Sequence, residues 1–164
     1  MASPRIEQVV DALNRSRTRY LVMGGVAVVA HGFVRATSGL DLVIDPDPVA
    51  MHRAIDVLSK LGYRPRAPVP VPEGADLKRR RALTREEQCV VFSISSDQQP
   101  ATDIVLHVDP SFDFARTYSN AARLEVGQGI VGTFVSRADL IAMKRRAGRP
   151  QDLADLAGLE QSSP

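Results

Sequence analysis

A pair of glycines, Gly24 and Gly25, stands between two short apolar runs, "YLVM" and "VAVVAHGFV", and this junction limits the folds open to the chain. The first run is too short for a helix and reads as a buried strand; the second is rich in Ala and Val and reads as a short buried helix. Glycines between strand and helix allow tight turning and close approach of another group to the backbone. The free N–H groups at the start of the helix behind them make such a junction a place for a phosphate. The same pair also builds an ordinary turn, so its meaning depends on the residues downstream.

The segment "RATSGLDLVIDPDP" comes next. The alternation of "LDLVID" predicts a second strand, stopped hard by the prolines. Asp41 shares a face of that strand with residue 39, because side chains alternate. Two acids there would hold one divalent cation, or two cations about 3.5–4 Å apart. Position 39 is Gly, so Asp41 alone offers a carboxylate, while Asp45, before Pro46, reads as a strand-end cap. Much later, Asp103 opens the apolar strand "TDIVLHV", an expensive place for a charge that is neither paired, metal-bound nor in water. If that strand lies beside residues 40–44, Asp103 faces Asp41. His107, four residues on, points to the same side as Asp103.

The rest of the chain predicts a helix over residues 4–17, another over 49–61 closed by Gly62, and an extended, proline-rich loop over 63–76. Strands are expected at "QCVVFSIS" and "ATDIVLHVD", a short irregular helix near 112–121, and two short strands at "ARLEV" and "IVGTFVS". Two helices end the chain: "SRADLIAMKRRA", with Ser136 and Asp139 at capping-box spacing, then "QDLADLAGL", opened by Pro150 after Gly148. Helices and strands mix without strict alternation, which predicts an α+β or mixed-sheet α/β domain.

The length of 164 residues suits one domain spanning 1–164, with a core over about 19–135 and C-terminal helices over 136–159. The lone cysteine, Cys89, lies in an apolar run and reads as a small core residue. One cysteine, no membrane-length apolar run and no signal-peptide core at the N-terminus lead us to expect a cytoplasmic protein. Net charge is only +2, but basic residues cluster in "LKRRRALTR" and "MKRRAGR". The run Lys78 to Arg81 reads as a solvated face or as a grip on RNA or protein. Aromatics make up 5% and tryptophan is absent, which argues against stacking platforms for single-stranded nucleic acid. His31, at a helix end, reads as a histidine bonded to backbone.

The order of a glycine pair, a strand acid and a distant second strand acid resembles the DNA polymerase beta-like nucleotidyltransferase superfamily. "VMGGVAVVAHGFVRATSGLDLVI" is similar to a small bacterial branch reading G-G-x-A, H-G, R-x-T, D-x-D-L. That branch includes minimal nucleotidyltransferases and abortive-infection toxin-like proteins. The tail "SRADLIAMKRRAGRPQDLADLAGL" resembles the same branch, with its helix Lys, G-R turn and paired Asp. The resemblance implies a nucleotidyltransferase fold with a C-terminal helical pair. It implies transfer of a nucleoside monophosphate from an NTP such as ATP, with Mg²⁺ or Mn²⁺, to a hydroxyl of protein, RNA or a small molecule. It also implies an antitoxin or other partner protein. Gly24 and Gly25 would cradle nucleotide phosphates, Asp41 and Asp103 would be the catalytic metal ligands, and Lys144 and Arg149 would lie near the triphosphate or hold the last helices. Arg35 and Thr37 would shape the turn before the strand, and Asp152 would orient Arg149 or Lys144. Two positions depart from the pattern: Val26, where much of the superfamily offers a Ser hydroxyl, and Gly39, where the first D-x-D acid would stand. With an incomplete acid triad, the fold could instead serve as a non-catalytic nucleotide- or partner-binding module.

Overall fold

A computed structural model describes residues 4–65, 89–94, 103–107 and 112–162. The prolines after residue 65, the run Lys78 to Arg81 and the expected turn at 96–100 lie outside the described residues. In chain order the elements are α1 (Pro4–Arg15), β1 (Tyr20–Met23), α2 (Gly24–Ala30), β2 (Gly39–Ile44), α3 (Pro48–Lys60), β3 (Tyr63–Pro65), β4 (Cys89–Ile94) and β5 (Asp103–His107). They continue with α4 (Phe114–Ser119), β6 (Ala122–Gly127), β7 (Ile130–Phe134), α5 (Arg137–Ala147) and α6 (Pro150–Gln161).

The strands form one seven-stranded sheet in the order β3-β4-β5-β2-β1-β7-β6. It is mixed: β5 runs parallel to β2, and β7 parallel to β1, while the other neighbours are antiparallel. The expected mixed-sheet α/β class is therefore the observed one. Leu40, Leu42 and Ile44 alternate along β2 with Gly39, Asp41 and Val43; the first set is buried in the core, as are Ile104 and Leu106 of the neighbouring β5. The apolar stripe of α1, Ile6, Val9, Val10 and Leu13, joins the same core, as does that of α3, Ala50, Met51, Ala54 and Leu58. Asp47 caps α3 by accepting from the Val49 N–H at 2.8 Å, and Asp45 accepts from the Asp47 N–H and from Arg19. Asp45 thus holds the strand end.

Three expectations need adjusting. Gly24 and Gly25 belong to the first turn of α2 rather than to a separate connection, so strand passes to helix with no loop between. The stretch from residue 63, expected as loop, begins with the edge strand β3: Tyr63 is only 3% exposed and its register partner is Ile94. A proline at the far end of an edge strand costs no ladder hydrogen bond, which is why Pro65 did not forbid it. At α5, Ser136 accepts from the Asp139 N–H at 3.1 Å, but the Asp139 carboxylate turns to Arg116 at 2.8 Å instead of closing a capping box. His31, as expected, donates from Nε2 to a backbone carbonyl, that of Val135, at 2.8 Å.

Candidate functional site

Register brings the two acids to one place. Gly39 is paired with Asp103 and Asp41 with Val105 on the parallel neighbour, and Met23 at the end of β1 is opposite Asp41. Paired residues share a face, as do residues two and four apart, so Gly39, Asp41, Asp103, Val105 and His107 form one patch on the sheet. Asp41 sits diagonally between Asp103 and His107.

His107 is the residue that the sequence underweighted. Its Nε2–H donates to Asp41 Oδ1 at 2.7 Å, with both side chains about a quarter exposed, 27% and 28%. The alternation had put His107 on the correct face; that its ring reaches Asp41 depends on a strand pairing across 66 residues. The other oxygen, Asp41 Oδ2, lies against Gly24: a Cβ built there would collide with it, and Gly24 has φ +67°. A Cβ on Gly25 would meet Thr37 Oγ1 and, at 3.0 Å, Arg35 Nη2. The glycine pair therefore lets α2 pack directly on the acid and on the turn before β2. At Gly39 the situation differs, because among the described residues a Cβ would find only the Asp103 carbonyl oxygen at 3.4 Å, an ordinary contact.

Facing these acids are side chains of the last two helices. Lys144 is buried, with its ammonium 2.9 Å from Asp152 Oδ1 and 2.9 Å from Asp155 Oδ2. Arg35 donates a fork to Asp155, 2.6 Å from Nε and 2.9 Å from Nη2. Arg149 Nε donates to Asp152 Oδ2 at 2.7 Å. Three cations thus share two carboxylates, and Arg35 joins the turn before β2 to α6. Burial by itself pushes the Asp152 carboxyl up; hydrogen bonds from Arg149 and Lys144 outweigh it and hold that carboxyl down at about 2. Asp155 is lowered in the same way, against burial, mainly by Arg35 and Lys144. The Arg149 guanidinium is raised by its hydrogen bond to Asp152 and the attraction of that charge, with a smaller pull from Asp41 across the cleft. Asp155, which the sequence offered only as half of a paired Asp, proves to be the centre of this network.

The two walls enclose a cleft of about 660 Å³, reached by Gly24, Gly25, Asp41, Asp103, Lys144 and Arg149. That size lies within the range of small-molecule sites. All the residues expected at the site therefore line one cavity, together with Gly39. Within the basic cluster at 143–149, Lys144, Arg145 and Arg149 each have a carboxylate partner. Two carboxylates on one face offer the hard oxygen donors that Mg²⁺ or Mn²⁺ takes, yet among the described residues no three His, Cys, Asp or Glu side chains are gathered to hold a metal ion. The residues present fit a partly supplied cation site. Among the described residues no helix is long and apolar enough to cross a membrane.

No family model matches the chain, and no curated protein does. Solved structures do. The lincosamide antibiotic adenylyltransferase LnuA, in its lincomycin-bound structure, superposes with a TM-score of 0.65 at 11% identity, covering 99% of this chain and 99% of LnuA. ANT(2")-Ia, in complex with adenylyl-2"-tobramycin, gives 0.59 at 14% identity, covering 94% and 85%. An antigenic nucleotidyltransferase-like protein from Paracoccidioides brasiliensis gives 0.58 at 16% identity, covering 97% and 77%. The fold is that of the nucleotidyltransferases.

Proposed function

We propose that the protein binds a nucleoside triphosphate in this cleft and transfers its nucleoside monophosphate to a hydroxyl of a small-molecule acceptor, the bond between α- and β-phosphates breaking and pyrophosphate leaving. The observation that carries the reading is the placement of Asp41 and Asp103 on one face of adjacent strands, opposite Lys144 and Arg149 across one cavity. Acids on one wall and cations on the other suit a reaction in which phosphate charge must be held and neutralised while the acceptor is aligned. The cleft's volume supports an acceptor of small-molecule size. The same fold carries small-molecule chemistry in LnuA and ANT(2")-Ia, whose ligands are lincomycin and an adenylylated tobramycin.

In this reading Asp41 and Asp103 hold Mg²⁺ or Mn²⁺, which when bound neutralises the triphosphate and polarises it. Asp103 also accepts the proton of the attacking hydroxyl. The backbone around Gly24 and Gly25 approaches the phosphates. The exposed head of Arg149 meets them too, whereas Lys144 works mainly by holding α5 and α6 against the cleft. A second reading is favoured by two observations: Gly39 offers no carboxylate, and one oxygen of Asp41 is already taken by His107. In that reading the cleft binds a nucleotide without turning it over.

Incubation with labelled NTPs, Mn²⁺ or Mg²⁺ and a panel of hydroxylated acceptors, beside Gly39→Asp, separates these. Transfer by the native chain supports the first reading. Nucleotide binding without transfer, with transfer restored by Gly39→Asp, supports the second. Failure of both proteins to bind any nucleotide would overturn both.

A further inference from the structure

We infer, resting on the nucleotide-binding reading above, that the cleft takes a single divalent cation, and takes it only together with the nucleotide. Two features of this chain lead there. The first is at Gly39, which provides no carboxylate where β2 faces Asp103; among the described residues nothing comes closer than 3.4 Å to a Cβ built there. The second is His107, whose Nε2–H occupies Asp41 Oδ1 at 2.7 Å. One Asp41 oxygen is thereby committed, and Oδ2, lying against Gly24, is the one left to a cation.

A cation of the Mg²⁺ or Mn²⁺ kind needs about six oxygen ligands in near-octahedral order. The described residues supply Asp41 Oδ2 and the Asp103 carboxyl; no third carboxylate of theirs is gathered there, and the His107 imidazole turns its N–H to Asp41 Oδ1. Among the described residues no side chain remains to bridge a second cation beside the first. The triphosphate brings several anionic oxygens at once, and the Arg149 guanidinium on the opposite wall balances those left uncoordinated. Nucleotide and cation therefore complete each other's sites, and by linkage each raises the other's affinity by the same factor.

The test uses the full chain in equilibrium dialysis with Mn²⁺, with and without a non-hydrolysable NTP analogue, beside Asp41→Asn and Gly39→Asp, each checked for folding by circular dichroism. The native chain is expected to retain no Mn²⁺ alone and one ion per bound nucleotide, with Mn²⁺ raising analogue affinity about tenfold or more. Asp41→Asn should bind the analogue with that enhancement largely gone. Gly39→Asp should retain Mn²⁺ without nucleotide and take a second ion with it. Two ions per nucleotide in the native chain, Mn²⁺ retained as tightly without nucleotide as with it, or an undiminished enhancement in folded Asp41→Asn, would each overturn the inference while leaving nucleotide binding intact. If no analogue binds under any condition, the proposed function itself falls, and this inference with it.

Discussion

The carboxylate of Asp41 occupies the space that a side chain on Gly24 would need. Helix α2 can therefore begin directly against the strand acid, and position 24 tolerates neither a Cβ there nor the loss of its left-handed backbone, φ +67°. Gly24→Ala should cost about 1–3 kcal/mol from strain and displacement together. It should also weaken nucleotide binding through the moved carboxylate. Gly62, at φ +92° with none of the described residues within 4 Å of a Cβ there, is the control: Gly62→Ala should show the strain alone and leave binding unchanged. Urea unfolding and analogue titration on both variants check this.

Gly39→Asp should leave stability within about 1 kcal/mol, because among the described residues the new Cβ meets only an ordinary contact at 3.4 Å. If the chain is a transferase, the added carboxylate should raise its rate by about tenfold or more, equivalent to ~1.4 kcal/mol of barrier. A thermal melt and a rate assay on the same preparation read the two effects separately.

Lys144 and Arg149 should respond in opposite ways. Lys144→Ala strands the buried carboxylates Asp152 and Asp155 without their shared ammonium, and about 3–5 kcal/mol of stability should go with it. The Arg149 side chain is 75% exposed, so Arg149→Ala should cost only ~0–1 kcal/mol of stability while lowering nucleotide affinity. A denaturant midpoint that moved equally for both would contradict the division of labour drawn above.

Acid should unfold the protein partly through Asp152. Its folded carboxyl sits at about 2 against an ordinary value of 3.8, so its contribution to stability is fully present above that ordinary value. It is lost as pH falls through the interval from 3.8 toward 2, where the unfolded chain takes up a proton that the folded carboxylate does not. Asp155, also lowered, adds in the same direction. Stability measured across this interval should fall more steeply for the native chain than for Asp152→Asn, which has no such carboxyl to protonate.

The parts of this architecture set by local pattern were legible in the sequence. The stripes of α1 and α3, the alternation of β2 and the cap at Ser136 depend on residues a few positions apart. The two acids could be placed on strands for the same reason, and their meeting was expected conditionally on β5 lying beside β2. The contacts that decide the site's character span long separations. His107 to Asp41 crosses 66 positions and Arg35 to Asp155 crosses 120, and no periodicity carries such pairings. Tyr63 escaped for a different reason: the prolines after it dominate its composition, and only its pairing with β4 makes it core.

The seam between β1 and β7 has a consequence of another kind. The two strands share a single register position, Val22 with Phe134, reinforced by the Val135 N–H donating to the Val22 carbonyl at 3.0 Å. The acids stand on the β5–β2–β1 side of that seam, while α5 and α6, with Lys144 and Arg149, lead on from the β7 side. That short pairing runs beneath the cleft, and few ladder hydrogen bonds hold it. Anything spanning the cleft ties its two sides together. Its binding should slow amide hydrogen exchange along β1 and β7, at backbone groups it never touches.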